Sequence, residues 1–360
     1  MTYYHSSYGP PKKKSRTFRR ILWIFILIVL LIGSGLAYFA YGVIYKPNVW
    51  TLEGKTVQIK IPTGSTFEDV KQLLYKNGLI IHRNDFEWVA DFKKYGELIK
   101  PGNYSIKNGM SNNDLINLLR SGNQTPIKVI FNNNKNTLDL AGKVAAQIEA
   151  DSAQIVNYAY SEEFSNISGL DSIEISNIFL PNTYEFYWNT SAKGFVNRML
   201  EEYEKFWTGS RSALADDIEL SRDEVIILAS IVEKETQKND EKPTIAGVYL
   251  NRLERKWLLQ ADPTLLFALQ DNSIRRVLNV HKKIDSPYNT YKHLGLPPGP
   301  ICIPSIASID AVLNYDKTDY LYFCAKDDLS GYHAFAKNIT QHNRNAKKYQ
   351  KALDELRIYK

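Results

Sequence analysis

The sequence predicts an α+β protein: an N-terminal transmembrane helix, then a small α+β unit, then a larger mixed α+β domain. Three observations carry this prediction. An uncharged apolar run covers residues 21–45, and a strand pattern followed by a helix pattern occurs twice within residues 52–130. Across residues 131–360, long helical periodicities alternate with short aromatic runs.

The apolar run reads ILWIFILIVLLIGSGLAYFAYGVIY from Ile21 to Tyr45. At 1.5 Å per residue its ~25 residues span a ~30 Å hydrocarbon core with some tilt, and a helix satisfies every backbone group there without water. Residues 1–20 form a basic tail with Lys12, Lys13, Lys14, Arg16, Arg19 and Arg20 and no acid, so the N-terminus is expected to stay cytoplasmic. Tyr38, Tyr41, Tyr45 and Trp50 supply an aromatic collar at the outer edge. The competing reading is a cleaved signal peptide, for which Ser34-Gly35-Leu36-Ala37 offers small residues; the run exceeds the usual signal core of about 7–15 residues, which favours an anchor. The net charge of +6 is confined to that tail. Without its six cations, the 45 Lys+Arg fall to 39 and match the 39 Asp+Glu. A neutral outer portion argues against a nucleic-acid partner.

In the small unit, residues 52–130, Thr56 to Pro62 alternates polar and apolar like a half-buried strand. Ser65-Thr66 then offers a helix cap before Val70, Leu73 and Leu74 at helical spacing. Gly102 to Ile106 repeats the strand, Met110-Ser111 the entry, and Leu115, Ile116, Leu118 and Leu119 the helix, which ends at Gly122. The larger domain, 131–360, opens with an acidic helical segment over 138–166 and an aromatic run from Phe179 to Trp188. Helices are expected at 193–207, 222–237 and 340–357, and a buried strand at 320–325.

Chemistry has few places to sit. GxSxG, HExxH and P-loop motifs are absent, the six histidines are scattered, and two cysteines cannot build a disulfide scaffold or a Cys-rich zinc module. No metal or cofactor is expected. The informative segment is Val225-Ile-Ile-Leu-Ala-Ser-Ile-Val-Glu-Lys-Glu-Thr236, an apolar helix ending in two carboxylates. Residues two apart on a helix point about 200° apart, so Glu233 and Glu235 cannot share one cleft. Glu235 continues the stripe of Leu228, Ile231 and Val232, where desolvation would raise its pKa and suit it to general-acid work. Glu233 follows Ile226, Ala229 and Ser230 on the opposite face. Periodicity alone leaves open that both are surface charges at a helix end.

Further motifs follow in order: Val248-Tyr-Leu-Asn-Arg-Leu253, Leu259-Gln-Ala-Asp-Pro-Thr264, Ser286-Pro-Tyr-Asn-Thr-Tyr291 and Gly295-Leu-Pro-Pro-Gly-Pro-Ile301. With Phe179-Leu-Pro-Asn-Thr-Tyr184, Tyr320-Leu-Tyr-Phe323 and the His333–Asn343 region, they resemble the endolytic murein transglycosylase, or YceG-like, family over about residues 52–355. The resemblance implies a LysM-like small unit, a catalytic domain over 131–360, and cleavage within peptidoglycan glycan strands. It implies the glutamate before Thr in Glu-Lys-Glu-Thr as the catalytic residue, here Glu235, and formation of 1,6-anhydro-muramyl ends. It further implies an extracytoplasmic domain held at the cytoplasmic membrane near peptidoglycan synthases, terminating or trimming nascent strands. Two departures touch local geometry: Asn182 stands where Asp is common, and Asn132-Asn133-Asn134 replaces an acidic-glycine turn.

Gln260, Asp262, Asn289 and Tyr291 are candidates for holding the sugar; turn chemistry is the other explanation of each. Two rival functions remain. A water-using muramidase would need a second carboxylate, with Asp262 the nominee, and a non-catalytic scaffold would bind glycan through the small unit. Cys302 and Cys324 lie in apolar runs, where they either pair or stay free as small hydrophobes.

Overall fold

The computed structural model describes residue 9 and residues 16–356, apart from 133, 272, 273, 275 and 276. Lys12, Lys13 and Lys14 of the basic tail and Asn133 of the asparagine run lie outside the described residues. The chain divides into two compact units, Met1–Thr125 and Pro126–Lys360.

The first unit begins with α1 (Arg16–Tyr45), the one helix among the described residues long and apolar enough to cross a membrane, with none of its residues buried. Charged Arg16, Arg19 and Arg20 form its first turns, so the helix starts before the apolar run does. Its last turn packs on the unit that follows, where the side-chain amide of Asn112 donates to Val43 O at 2.8 Å. Strand β1 (Val57–Ile61) pairs antiparallel with β2 (Gly102–Ile106), Ile59 opposite Tyr104. Between them run α2 (Phe67–Lys76) and α3 (Arg83–Phe92); α4 (Asn112–Ser121) follows. The expected entries are capping boxes, Thr66 with Asp69 and Ser111 with Asp114, and Gly122 closes α4 at φ 71°. Helix α3 was not foreseen: its Phe86, Val89 and Ala90 complete the core with Leu74 and Leu115.

The second unit starts earlier than the 130/131 boundary, because β3 (Ile127–Phe131) pairs antiparallel with β4 (Asn182–Phe186) of the larger domain. Asn182 faces Phe131 in that ladder. The segment at 138–166 is three helices, α5 (Thr137–Ala145), α6 (Ser152–Ala159) and α7 (Glu162–Ser168), because Asp151 and Ser161 each cap a new start. Then come α8 (Ala192–Phe206), α9 (Ser210–Asp217), α10 (Arg222–Glu235), α11 (Lys242–Glu254), α12 (Asp262–Leu269) and α13 (Ile306–Leu313). A β5–β6 hairpin (Tyr322–Ala325, His333–Ala336) and α14 (Ile339–Glu355) complete it. Helix α10 is the hub: eight consecutive residues, Val225 to Val232, are buried, and α11, α12 and α13 pack around it. A helix apolar on every side belongs inside a domain.

Candidate active site

The stripes leading to both terminal carboxylates are buried, from Val225 to Val232, while Glu233 and Glu235 themselves are half-buried. The stripe alone therefore does not distinguish them, and what separates the two glutamates is their partners. The Glu233 carboxylate accepts from Lys242 Nζ at 3.0 Å, Ser305 Oγ at 2.6 Å and the Ser308 hydroxyl. Burial alone would push this carboxyl up, but those three donors and the Lys242 charge outweigh it and hold it below its ordinary value. Lys242 is itself only 4% exposed along its side chain. Ser305 caps α13 and Lys242 opens α11, so Glu233 fastens three helices together. It is a buried structural ion pair, not a surface charge.

Glu235, the last residue of α10, has one hydrogen-bond donor among the described residues, the Tyr249 hydroxyl at 2.5 Å. Its carboxyl is enclosed although part of the residue stays open to solvent. Burial raises the pKa to about 7; the Tyr249 hydrogen bond and the Arg252 charge pull it down, while the Asp262 charge pushes it up. Tyr249 sits on α11 at 1% exposure, so its hydroxyl needs a partner inside the protein, and the carboxyl of Glu235 supplies one. Arg252, one turn further along α11, donates to Leu321 O at 2.8 Å and to Leu259 O, which joins α11 to the chain entering β5 and to the loop before α12. A carboxyl with a pKa of about 7 can both give and take a proton near neutrality.

The loops carrying the other candidates are joined by Thr290. Gln260 N donates to Thr290 O at 3.0 Å, Ala261 N donates to Thr290 Oγ1 at 3.0 Å, and the Thr264 and Thr290 hydroxyls lie 2.9 Å apart. This brings Tyr291 to Asp262, whose Oδ1 accepts from the Tyr291 hydroxyl at 2.5 Å. Asp262 is exposed, and its charge reaches Glu235. Gln260 is exposed with φ 50°, a strained left-handed backbone that the Thr290 contacts hold in place. Asn289 differs from the expectation. It is fully buried; its amide donates to Lys282 O and Ile284 O, and its Oδ1 accepts from Tyr291 N at 3.0 Å. With its amide nitrogen and oxygen both committed to backbone, it shapes the Tyr291 loop and has nothing left for a sugar. The proline-rich loop at 295–300 packs tightly: a Cβ on Gly299 would lie 2.4 Å from Ile173 Cγ2.

The model of the YceG-like family matches residues 59–348. The chain belongs to the YceG-like family. It is 30% identical over 342 residues to the endolytic murein transglycosylase of Bacillus subtilis (strain 168), covering 91% of this chain and 93% of that one. It is also 30% identical over 353 residues to the endolytic murein transglycosylase of Streptococcus pneumoniae serotype 2 (strain D39 / NCTC 7466), covering 89% of this chain but 63% of that longer protein. A crystal structure of a yceG-like protein from Listeria monocytogenes superposes with a TM-score of 0.54 at 26% identity, over 81% of this chain and 98% of the other.

Within this YceG-like chain, two features of the site escaped the sequence reading. Tyr249 stood inside a noted motif, yet only the partner position across the fold reveals that its hydroxyl meets Glu235. The second is a pair beside the end of α10: Glu241, 5% exposed, accepts from His333 N at 2.6 Å, lies 2.7 Å from His333 Nδ1, and accepts from Thr236 Oγ1 at 3.2 Å. The Phe323 ring packs against both Tyr249 and His333, with ring centroids 5.9 and 5.2 Å away. Among the described residues no group of three His, Cys, Asp or Glu side chains is placed to hold a metal. Cys302 and Cys324 are both free thiols, Cys302 buried against Ser230 O.

Proposed function

We propose that this protein is a membrane-anchored endolytic lytic transglycosylase that cuts peptidoglycan glycan strands and leaves 1,6-anhydro-muramyl ends. The observation that carries the proposal is Glu235: an enclosed carboxyl with a pKa of about 7, in a family whose relatives are named endolytic murein transglycosylases. Protonated Glu235 gives its proton to the glycosidic oxygen as the C1–O bond breaks, and positive charge develops at C1. The resulting carboxylate, steadied by the Tyr249 hydroxyl, takes the proton of the same sugar's C6 hydroxyl while O6 bonds to C1. No water is consumed and Glu235 ends protonated, so one carboxyl serves both steps. Gln260, Asp262 and Tyr291 are the candidates for holding the sugar beside it.

Helix α1 is the anchor, with the N-terminus cytoplasmic and both units outside, beside the peptidoglycan synthases whose nascent strands are terminated or trimmed. The β1-α2-α3-β2 order of the small unit supports a LysM-like wall-binding role. Mass spectrometry of digested peptidoglycan tests the chemistry, since anhydro ends are one water lighter than hydrolysed ones. The full chain is expected to release anhydro-ended products, and Glu235→Gln to lower that release by ~10²–10⁴-fold while the fold survives. Hydrolysed ends would instead assign a muramidase with Asp262 as second carboxylate. Absence of any product would leave a glycan-binding scaffold.

A further inference from the structure

A cavity of about 390 Å³ opens between the end of α10, the segment entering α5 and helix α12, within the ~300–1,000 Å³ typical of small-ligand pockets. Lys135 and Lys234 line it together with Pro263, Leu266, Phe267 and Ile301. Two of these neighbour the acid site in the chain, Lys234 preceding Glu235 and Pro263 following Asp262. Both lysines are exposed, and the acids beside them are held mainly by other partners, although the Lys135 charge also reaches Asp139. Asp139 pairs with Lys143 at 3.0 Å and accepts from the backbone of Lys135, and Glu233 is held by Lys242. The cavity thus joins two ammonium groups that form no direct ion pair among the described residues to an apolar floor, on which Phe267 packs against Tyr288 with ring centroids 4.7 Å apart. Like charges facing one concavity focus anions into it.

Resting on the function proposed above, we infer that this cavity is a subsite for the peptide stem of the muramyl sugar, with Lys135 and Lys234 taking a stem carboxylate. The glycan backbone carries no ionisable group, so two unpaired cations have nothing to meet on it. The stem leaves the muramyl ring through its lactyl ether, carries free carboxylates, and has alanine methyls that suit Leu266, Phe267 and Ile301. Two of the lining residues, Lys234 and Pro263, adjoin Glu235 and Asp262 in the chain, which brings a stem on the bound muramyl ring within reach of the cavity.

Equilibrium binding tests the subsite without relying on cleavage. The full chain in detergent, carrying Glu235→Gln so that strands survive, is titrated with glycan strands bearing free-acid stems and with the same strands after their stem carboxylates have been converted to neutral amides. The free-acid strands are expected to bind about ten-fold tighter, as suits one or two charge-assisted hydrogen bonds. Adding Lys135→Gln and Lys234→Gln together should bring that ratio close to one, and Lys135→Arg with Lys234→Arg should keep it. A ratio that survives the glutamine pair overturns the subsite. So does an equal loss on both strand types, which would place the lysines against the glycan itself. Failure of the parent reading is seen separately, as absence of anhydro ends from the unaltered chain, and the binding ratio is read independently of it.

Discussion

Burial of a carboxyl at a helix end has thermodynamic consequences at the scale of the single residue. Glu235 is raised from 4.5 to about 7, so the folded chain binds this proton more tightly than the unfolded one. Its favourable contribution is complete below about pH 4.5 and is lost as pH rises through about 7. Under the proposed function the catalytic consequence has the same sign, because the acid form is the one that would donate. Tyr249 tempers the shift, since its hydroxyl bonds to the carboxylate and lowers the pKa. Tyr249→Phe is therefore expected to move the alkaline limb of the kcat/KM profile upward by about one pH unit, the worth of a hydrogen bond to a charged group. A limb that stays in place or moves down would remove Tyr249 from the site. Sequence periodicity placed Glu235 at the end of an apolar helix but could not find this partner, because it orders residues around one helix and says nothing about the helix opposite.

At the scale of elements, Glu233 shows how a helix-end charge becomes a joint. It ties α10 to the first residue of α11 and to the cap of α13. Glu233→Gln leaves the Lys242 ammonium buried without a counter-charge, a change that costs about 3–5 kcal/mol when a buried pair is broken. The variant is expected to melt well below the parent in thermal denaturation, while activity per folded molecule persists, the reverse of Glu235→Gln. The carboxyl of Glu233 is held below its ordinary value, so its contribution is present above pH 4.5 and fades as pH falls through the folded value. The variant should lack that acid-side loss. A melt unchanged by Glu233→Gln would return the residue to the surface role first allowed for it. Element starts were legible where the signal was local, as at Thr66 and Ser111. The breaks within 138–166 were equally local, at Asp151 and Ser161, but were masked by a continuous helical composition.

At the scale of the whole molecule, the division at Thr125/Pro126 separates a unit with its own core from the one that carries Glu235. Residues 126–360 alone are expected to melt cooperatively and to release anhydro ends from short soluble strands, while binding isolated wall sacculi more weakly than the full chain. Equal sacculus binding would make the small unit a spacer. The unit boundary was misplaced by five residues in the sequence because β3 finds its partner, β4, about fifty positions downstream. Nothing local in Ile127–Phe131 says which unit it will join.

What the sequence determined by itself was whatever depends on neighbours along the chain: the apolar span of α1, the capped helix starts, the buried α10 and Glu235 at its end. Only the tertiary structure decided which polar groups meet. It gave Glu233 to Lys242 and Ser305, Glu235 to Tyr249, Tyr291 to Asp262, and Asn289 to its own loop. The physical reason is that hydrophobic periodicity reports burial, which is a property of one residue against the solvent. A hydrogen bond or an ion pair is a property of two residues, and these partners lie 9 to 72 positions apart, apart from Asn289's contacts within its own loop.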